Sequence, residues 1–589
     1  MSMKKLLAAS AGLFALVAGD SALAADLRAA PAYKAPPLVA PDIWNGFYVG
    51  LNAGGSVSRN RTTDQTNVPG FAAPLFDNAI FSHSPAGAIF GAQAGWNWHA
   101  SPSWVLGLEA DWQWSGQSET VCTFACLPAS GAGALLSIVD DQSLKWFGTA
   151  RGRIGWLSPG GSLWYATGGA AWGRVDQTLT LTATPGFFAS GTGAAASFGE
   201  NKLGWTIGAG VETPLANQWS LKAEYLYVDL GNVTNSFTTA ISPAVVPPAT
   251  TQITSSSSDI RDHIFRLGLN YHFGGPAGPV EVAGPMYTKA PPRAAPVGWN
   301  GFYGGLNAGA AIARNPTTDT TLVPGAVFPV FGADTFSHAS VGGVIGGQIG
   351  WNWRVAPTWV LGAEADWQWA HQTDSACVSE CLSFGFQPAT LLGLIDEQTI
   401  KWFGTARGRF GWVSPGGTLW YATGGLAWGR VEDSLALVTT PGFVAPGAAT
   451  TASFSHDRIG WTIGAGVEAP LVDKWSVKAE YLYVDLGSVT DSFTSALAPG
   501  VVRGATFQTT TTDYSVHDHI VRFGNQLPYR LTHSSNACRR RSFGARPRLR
   551  VAERASRAGR SEPRAFFGSG SFPTSQWAAP AIPSKALTA

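Results

Sequence analysis

Charge is scarce in this chain. Asp, Glu, Lys and Arg make up 13% of its 589 residues, against roughly 25% in ordinary soluble globular proteins. That scarcity argues against a charge-rich disordered polypeptide. A formal net charge of +1 removes the global electrostatic case for a nucleic-acid binder. Methionine occurs three times and cysteine five times. Beyond the first residues no segment offers the roughly 18 uninterrupted apolar residues of a spanning helix. A mean hydropathy of +0.05 is likewise far too polar for a bundle of membrane helices. What the chain does have is 71 Gly, 31 Phe, 13 Tyr and 25 Trp, and a length that allows several domains.

The charges are unevenly spread. Residues 525–589 hold twelve Lys/Arg and two Asp/Glu, so the rest carries 27 basic against 36 acidic residues. One basic tail masks an acidic body. At the other end, Lys4 and Lys5 precede an apolar stretch from Leu6 to Ala18 and the small-residue site Ala22-Leu23-Ala24. This pattern predicts a signal peptide over 1–24 and export, with a Pro-rich leader over 25–42.

The body is a duplication. Trp44-Asn45-Gly46-Phe47-Tyr48 recurs from Trp299 to Tyr303, Lys145 to Arg153 recurs from Lys401 to Arg409, and Lys222 to Gly231 recurs from Lys478 to Gly487. The leader is copied too, at Tyr287 to Pro292. Repeat 1 is therefore expected over 43–273, a Pro/Gly-rich linker over 274–297, repeat 2 over 298–524, and a basic tail over 525–589.

Each repeat alternates with period two, as strands do. Leu106, Leu108, Ala110, Trp112 and Trp114 share one face, and Gly107, Glu109, Asp111 and Gln113 the other. Eight such runs lie near 43–57, 84–98, 103–117, 142–157, 162–176, 201–212, 218–230 and 259–273 of repeat 1. Their connections alternate between short turns and long Thr/Ser/Ala/Pro/Gly-rich segments, as in outer-membrane barrels. A strand in hydrocarbon must pair on both edges, so such a sheet closes on itself, with aromatic girdles on its outer face. The expected fold is all-β: two tandem eight-stranded antiparallel transmembrane β-barrels and a disordered C-terminal tail, the alternative being one sixteen-stranded barrel. Eight strands leave room inside for side chains only, and buried charges need partners. The expected lumen charges are Glu109, Asp111, Lys145, Arg151, Arg153, Lys222 and Glu224, with Glu364, Asp366, Lys401, Arg407, Arg409, Lys478 and Glu480 in repeat 2.

The ordered set WNGFYVGLNAG, LGLEADWQW, KWFGTARGRIGW, LWYATGGAAWG, GWTIGAGVE and KAEYLYVDLG resembles the alphaproteobacterial outer-membrane immunogenic protein family, porin-like eight-stranded barrels related to the OmpA membrane domain. The resemblance covers about 43–273 and 298–524. It implies an outer-membrane surface antigen; some relatives are described as haem-binding, and no residue is carried over for that.

Other chemistry is thin. Cys122 and Cys126, and Cys377 and Cys381, recur with the same spacing in a long connection, and in an oxidising compartment they are expected to form small disulfide loops. A metal reading would need further ligands, and His371 beside the second pair has Gly116 as its counterpart. His83 and His338, and Asp262-His263 and Asp518-His519, read as rim or loop residues. No Ser/His/acid set stands out in both repeats, so no catalytic residue, metal or cofactor is assigned and the protein is expected not to be an enzyme. Its expected role is a structural, antigenic surface barrel, the alternatives being a porin with a diffusion channel or a haem- or small-ligand-binding barrel. Its expected partners are outer-membrane lipid and lipopolysaccharide and the barrel-insertion machinery, with no nucleic acid.

The tail has its own reading. Repeat 1 ends on Arg266-Leu267-Gly268-Leu269-Asn270-Tyr271-His272-Phe273, whereas repeat 2 starts alike at Arg522-Phe523-Gly524 and departs at Asn525. Gln526-Leu527-Pro528 written CAA-CTA-CCG reads, one base later, as Asn-Tyr-Arg, close to Asn270-Tyr271-His272. A frameshift after Gly524 is thus expected to have produced 525–589 and to leave repeat 2 poorly closed, the alternative being a genuine basic tail that binds anionic lipid or nucleic acid.

Overall fold

Apolar and polar residues alternate through most of the chain, and the backbone takes up that alternation as strand. The computed structural model describes residues 43–67, 69, 76–124, 136–183, 188, 194–242, 251–273, 298–324, 333–378, 392–439, 442–471, 475–500 and 506–529. The expected signal peptide, leader, linker and the tail beyond Tyr529 lie outside these residues. Repeat 1 forms β1 (Gly46–Ser58), β2 (Asn60–Asn67), β3 (Phe76–His83), β4 (Ala86–Ser101), β5 (Trp104–Phe124), β6 (Leu136–Leu157), β7 (Leu163–Ala183), β8 (Ala195–Pro214), β9 (Trp219–Ala240) and β10 (Thr251–His272). Repeat 2 forms β11 (Gly301–Ala313), β12 (Asn315–Leu322), β13 (Ala333–His338), β14 (Val341–Ala356), β15 (Trp359–Val378), β16 (Leu392–Val413), β17 (Leu419–Thr439), β18 (Thr451–Pro470), β19 (Ser476–Ala496) and β20 (Phe507–Tyr529). The described residues contain no helix.

Here the expectation of two separate eight-stranded barrels is corrected. The described strands number twenty, sixteen long and four short, and all belong to one hydrogen-bonded sheet within one compact unit ending at Arg530. Long strands pair antiparallel with their neighbours, and each repeat's first strand meets its own last, Tyr48 opposite His272 and Tyr303 opposite Pro528. The repeats are then joined through the short strands: Thr335 of β13 pairs with Cys122 of β5, Cys377 of β15 with Ile80 of β3, and Ser337 with Ser82. Strand edges that a stand-alone repeat would leave free are thereby used.

The strands also run further than expected. Most of what reads as long connection is strand, because β5, β6, β7, β9 and β10 continue past the apolar band and β2 and β3 form a hairpin beside them. These extensions are rich in Ser and Thr, and apolar alternation marks them unevenly: it shows as Leu179 and Leu181 between threonines on β7, but not in the serine run of β10. On β5, Trp104 and Trp114 bracket nine residues whose outward side chains are apolar and exposed, the length of a tilted strand crossing hydrocarbon. Similar outward residues are the most exposed large hydrophobics among the described residues, Leu203 at 76% and Ile459 at 78%. Trp112 stacks on Trp146 at 4.2 Å and Trp367 on Trp402 at 4.3 Å, as an aromatic girdle requires. At the opposite end the β6–β7 and β16–β17 turns are tight, with Gly161 and Gly417 at φ of +80° and +87°, conformations a side chain would strain.

Candidate functional site

Inside the apolar band, the inward faces of repeat 1 carry charge. Arg151 on β6 donates to Glu109 and to Asp111 Oδ2 (2.8 Å) on β5, and to Glu224 Oε1 (3.0 Å) on β9. Lys222 Nζ lies 2.7 Å from Glu109. Arg266 on β10 reaches Asp111 at 2.8 Å and Glu224 at 2.6 Å. Arg153 pairs with Glu212 at 3.1 Å, and Tyr48 donates to Glu109 at 2.7 Å. Repeat 2 copies the set. Arg407 reaches Asp366 (2.8 Å) and Glu480 (2.9 Å), Lys478 reaches Glu364 (2.7 Å), Arg409 reaches Glu468 (3.1 Å), and Arg522 reaches Asp366 (2.8 Å) and Glu480 (2.6 Å). Each lumen thus holds four acids and four bases, all buried. Matched charges at hydrogen-bond distance are the form in which buried ions are tolerated.

Of the expected lumen residues, Glu109, Asp111, Arg151, Arg153, Lys222 and Glu224 meet in this cluster, as do Glu364, Asp366, Arg407, Arg409, Lys478 and Glu480. Lys145 and Lys401 do not, and their assignment is corrected. Lys145 is exposed, and Lys401 points outward to Glu432 at 3.2 Å. The reason is a β-bulge: the register shifts between Leu144 and Trp146, and between Ile400 and Trp402. A bulge inserts one residue and reverses the phase beyond it, so period two does not carry from Arg151 to Lys145. Arg266 and Arg522, Glu212 and Glu468, and Tyr48 and Tyr303 are cluster members not anticipated. Their signal was present: Arg266, Gly268, Asn270 and His272 alternate with Leu267, Leu269, Tyr271 and Phe273.

A second polar chamber lies in the extensions beyond the tryptophans. In repeat 1, His83 on β3 sits between Asp140 (Nε2 to Oδ2, 3.1 Å) and Glu119 (Nδ1 to Oε2, 3.7 Å). Burial would lower this imidazole, but Asp140 and Glu119 hold it up at about 10. His338 in repeat 2 sits likewise between Asp396 (3.1 Å) and Asp374 (3.5 Å). These histidines are wholly buried, not rim residues. The chamber borders the seam between repeats, where Arg59 bonds Asp374 at 3.0 Å and Arg314 bonds Glu119 at 3.3 Å.

His263, buried, and His519, half-buried, also lie off the rim, beside Tyr225 and Tyr481 at 2.9 and 2.8 Å. Asp262 and Asp518 point inward, to Gln117 and Gln372 at 2.7 and 2.8 Å. Cys122 and Cys377 are disulfide-bonded; Cys126 and Cys381 lie outside the described residues. Among those residues no three His, Cys, Asp or Glu are placed to hold a metal ion.

Two repeats with these features have counterparts. A family model described as the outer membrane protein beta-barrel domain matches residues 21–273 and 289–524. The chain is 33% identical, over 282 residues, to the 31 kDa outer-membrane immunogenic protein of Brucella melitensis, an alignment covering 46% of this chain and 98% of that protein. It is 27% identical over 175 residues to the 25 kDa outer-membrane immunogenic protein of Brucella ovis, covering 28% and 77%. Among solved structures, Ail, the attachment invasion locus protein of Yersinia pestis, is similar over 38% of this chain and 98% of its own, at 12% identity and a TM-score of 0.18. A Pseudomonas aeruginosa FadL homologue is similar over 82% and 91%, at 11% identity and a TM-score of 0.21. Scores this low bear on no detail of the fold.

Proposed function

The chain belongs to the outer membrane protein beta-barrel domain family, and from that premise we propose that it is a non-conducting surface barrel with a structural and antigenic, not an enzymatic, role. One observation carries this reading: the lumen of each repeat is filled by four acids and four bases in mutual contact, spanning from β5 and β6 to β9 and β10. A diffusion channel needs a continuous aqueous path, and breaking this cluster to open one would leave buried charges without partners. The relatives named as immunogenic proteins of the outer membrane support a role at the surface. The matching partners are outer-membrane lipid and lipopolysaccharide on the apolar face, and the insertion machinery during assembly.

Single-channel recording on the refolded full chain in planar bilayers tests the proposal. Little or no conductance is expected. A large ohmic step would overturn it in favour of a porin.

A further inference from the structure

The outer chambers of the two repeats differ at several positions, and at two of them an amide gives way to a carboxylate. In repeat 1, Gln177 on β7 donates to Asp140 Oδ2 at 2.8 Å and to Ser256 Oγ at 2.9 Å, and Asn235 on β9 donates to Gln177 Oε1 at 2.8 Å. Repeat 2 has Asp433 in place of Gln177 and Asp491 in place of Asn235, while Asp64, His83 and Asp140 persist as Asp319, His338 and Asp396. Two amides that supplied donors have become carboxylates, which when ionised only accept.

Asp396 from β16, His338 from β13, Asp491 from β19 and Tyr514 from β20 lie close to Asp433 on β17; Asp319 from β12 lies close to Asp396 and to Asp334 from β13, Asp374 from β15 is on His338 and His456 from β18 is on Asp491. The cations among them are engaged elsewhere. His338 lies between Asp396 and Asp374, Arg59 lies on Asp374, and His456 Nε2 is 2.7 Å from Asp491. Asp319 Oδ1 accepts from Thr512 at 2.7 Å. Asp433 is 1% exposed, lies opposite Gln398 and so diagonal to Asp396, as Gln177 lies opposite Gln142 and diagonal to Asp140, and receives a hydrogen bond on neither oxygen. Two carboxylates in buried contact cannot both ionise. A proton held on one of the two removes the repulsion without any further cation.

We infer that Asp433 keeps its proton at neutral pH and donates it to Asp396, so that a carboxylic acid in repeat 2 makes the bond that the Gln177 amide makes in repeat 1. The proton comes from water and returns there. When it leaves, two like charges face each other across β16 and β17, and the outer part of repeat 2 loosens. This pair gives repeat 2 an alkali-sensitive bond at the place where repeat 1 carries a pH-independent amide. Burial first, and then the Asp396 carboxylate, hold the Asp433 carboxyl up at about 10.

Infrared spectroscopy of the full chain, folded in detergent at neutral pH, reads the proton directly through the carbonyl stretch of a protonated carboxyl. Asp433→Asn should remove one carboxyl's worth of this absorption. Gln177→Asp should add one by rebuilding the pair in repeat 1. Asp64 and Asp319 are common to both repeats and cancel in this comparison. An unchanged absorption in Asp433→Asn overturns the inference. So does loss of the absorption when calcium is added to the folded wild type, because a metal ion would then be the cation. Should Asp433→Asn fail to fold, Gln177→Asp decides alone: a gain of one protonated carboxyl supports the pair, and no gain overturns it.

Discussion

Arg151 touches three carboxylates on two strands, and Lys145, six residues earlier on the same strand, lies outside the barrel wall. The two therefore predict opposite outcomes. Arg151→Ala should lower stability by about 3–5 kcal/mol, since it strands buried acids, read as a shift in the denaturant midpoint in detergent. Lys145→Ala should stay within about 0.5 kcal/mol. Equal effects would mean that the inward face is misassigned. The buried histidines predict a pH dependence. Burial alone lowers His83 and His338, but Asp140 and Asp396, their strongest partners, raise each to about 10, above the ~6.5 of an unfolded chain. The folded state then binds the extra protons, so this stability is fully present below about pH 6.5 and is lost as pH rises through about 10. The unfolding midpoint should fall across that window, and less steeply in a His83→Gln, His338→Gln double variant. A slope that the double substitution leaves unchanged would rule these histidines out as its source.

At the scale of elements, β20 is the informative strand. It does not stop at Gly524, where the expected barrel of repeat 2 ends, but continues to Tyr529 along β11 and β19, with Phe302 opposite Tyr529 and Ser476 opposite Gln526. The poorly closed second repeat expected from a frameshift is corrected accordingly. Gln526 takes over from Asn270, which donates to Glu212 at 2.7 Å; its amide, correctly oriented, donates to Glu468 at 2.7 Å. Tyr529 stands where repeat 1 has Phe273, so an aromatic ends both strands. Pro528, at the position of His272, brings no side-chain donor to Glu468. Truncation after Tyr529 should therefore leave assembly intact, whereas truncation after Gly524 should reduce the heat-resistant folded band on unboiled gels. Equal behaviour of the two would remove any role for 525–529. Beside the seam, we propose that Cys122 pairs with Cys126 and Cys377 with Cys381. Unreduced peptide mass spectrometry should find each pair linked, and a link between the repeats would exclude it.

For the whole molecule, the decisive feature is that the two repeats share one sheet. Arg59–Asp374 and Arg314–Glu119 are the same contact made twice, once from each repeat. Ser162 Oγ also lies 2.7 Å from Thr418 Oγ1, and Phe265 packs on Tyr481 at 4.8 Å. Repeats coupled in this way should unfold together. We expect a single transition in wild-type protein and two resolved transitions in an Arg59→Ala, Arg314→Ala double variant, followed by tryptophan fluorescence and by circular dichroism. Two transitions already in the wild type would show that the seam contributes little.

The sequence by itself determined the duplication, the strand class and, within the apolar band, which side chain faces which way. Lipid outside and a narrow lumen inside force strict period two on residues such as Leu106 to Trp114, and that pattern is local. It also placed six of the seven expected lumen charges of each repeat on the inner face. Only the tertiary structure decided the rest. The bulges at Lys145 and Lys401 leave no mark in the alternation, because a bulge answers to the partner strand. The serine and threonine runs of the extensions, such as Ser255 to Ser258, carry no apolar alternation, so neither these strands nor the buried His83 and His338 stand out from loop. Thr335 meets Cys122, and Arg314 meets Glu119, across roughly two hundred residues of chain. Such contacts depend on where sheet closure puts each edge, which no window of neighbouring residues contains.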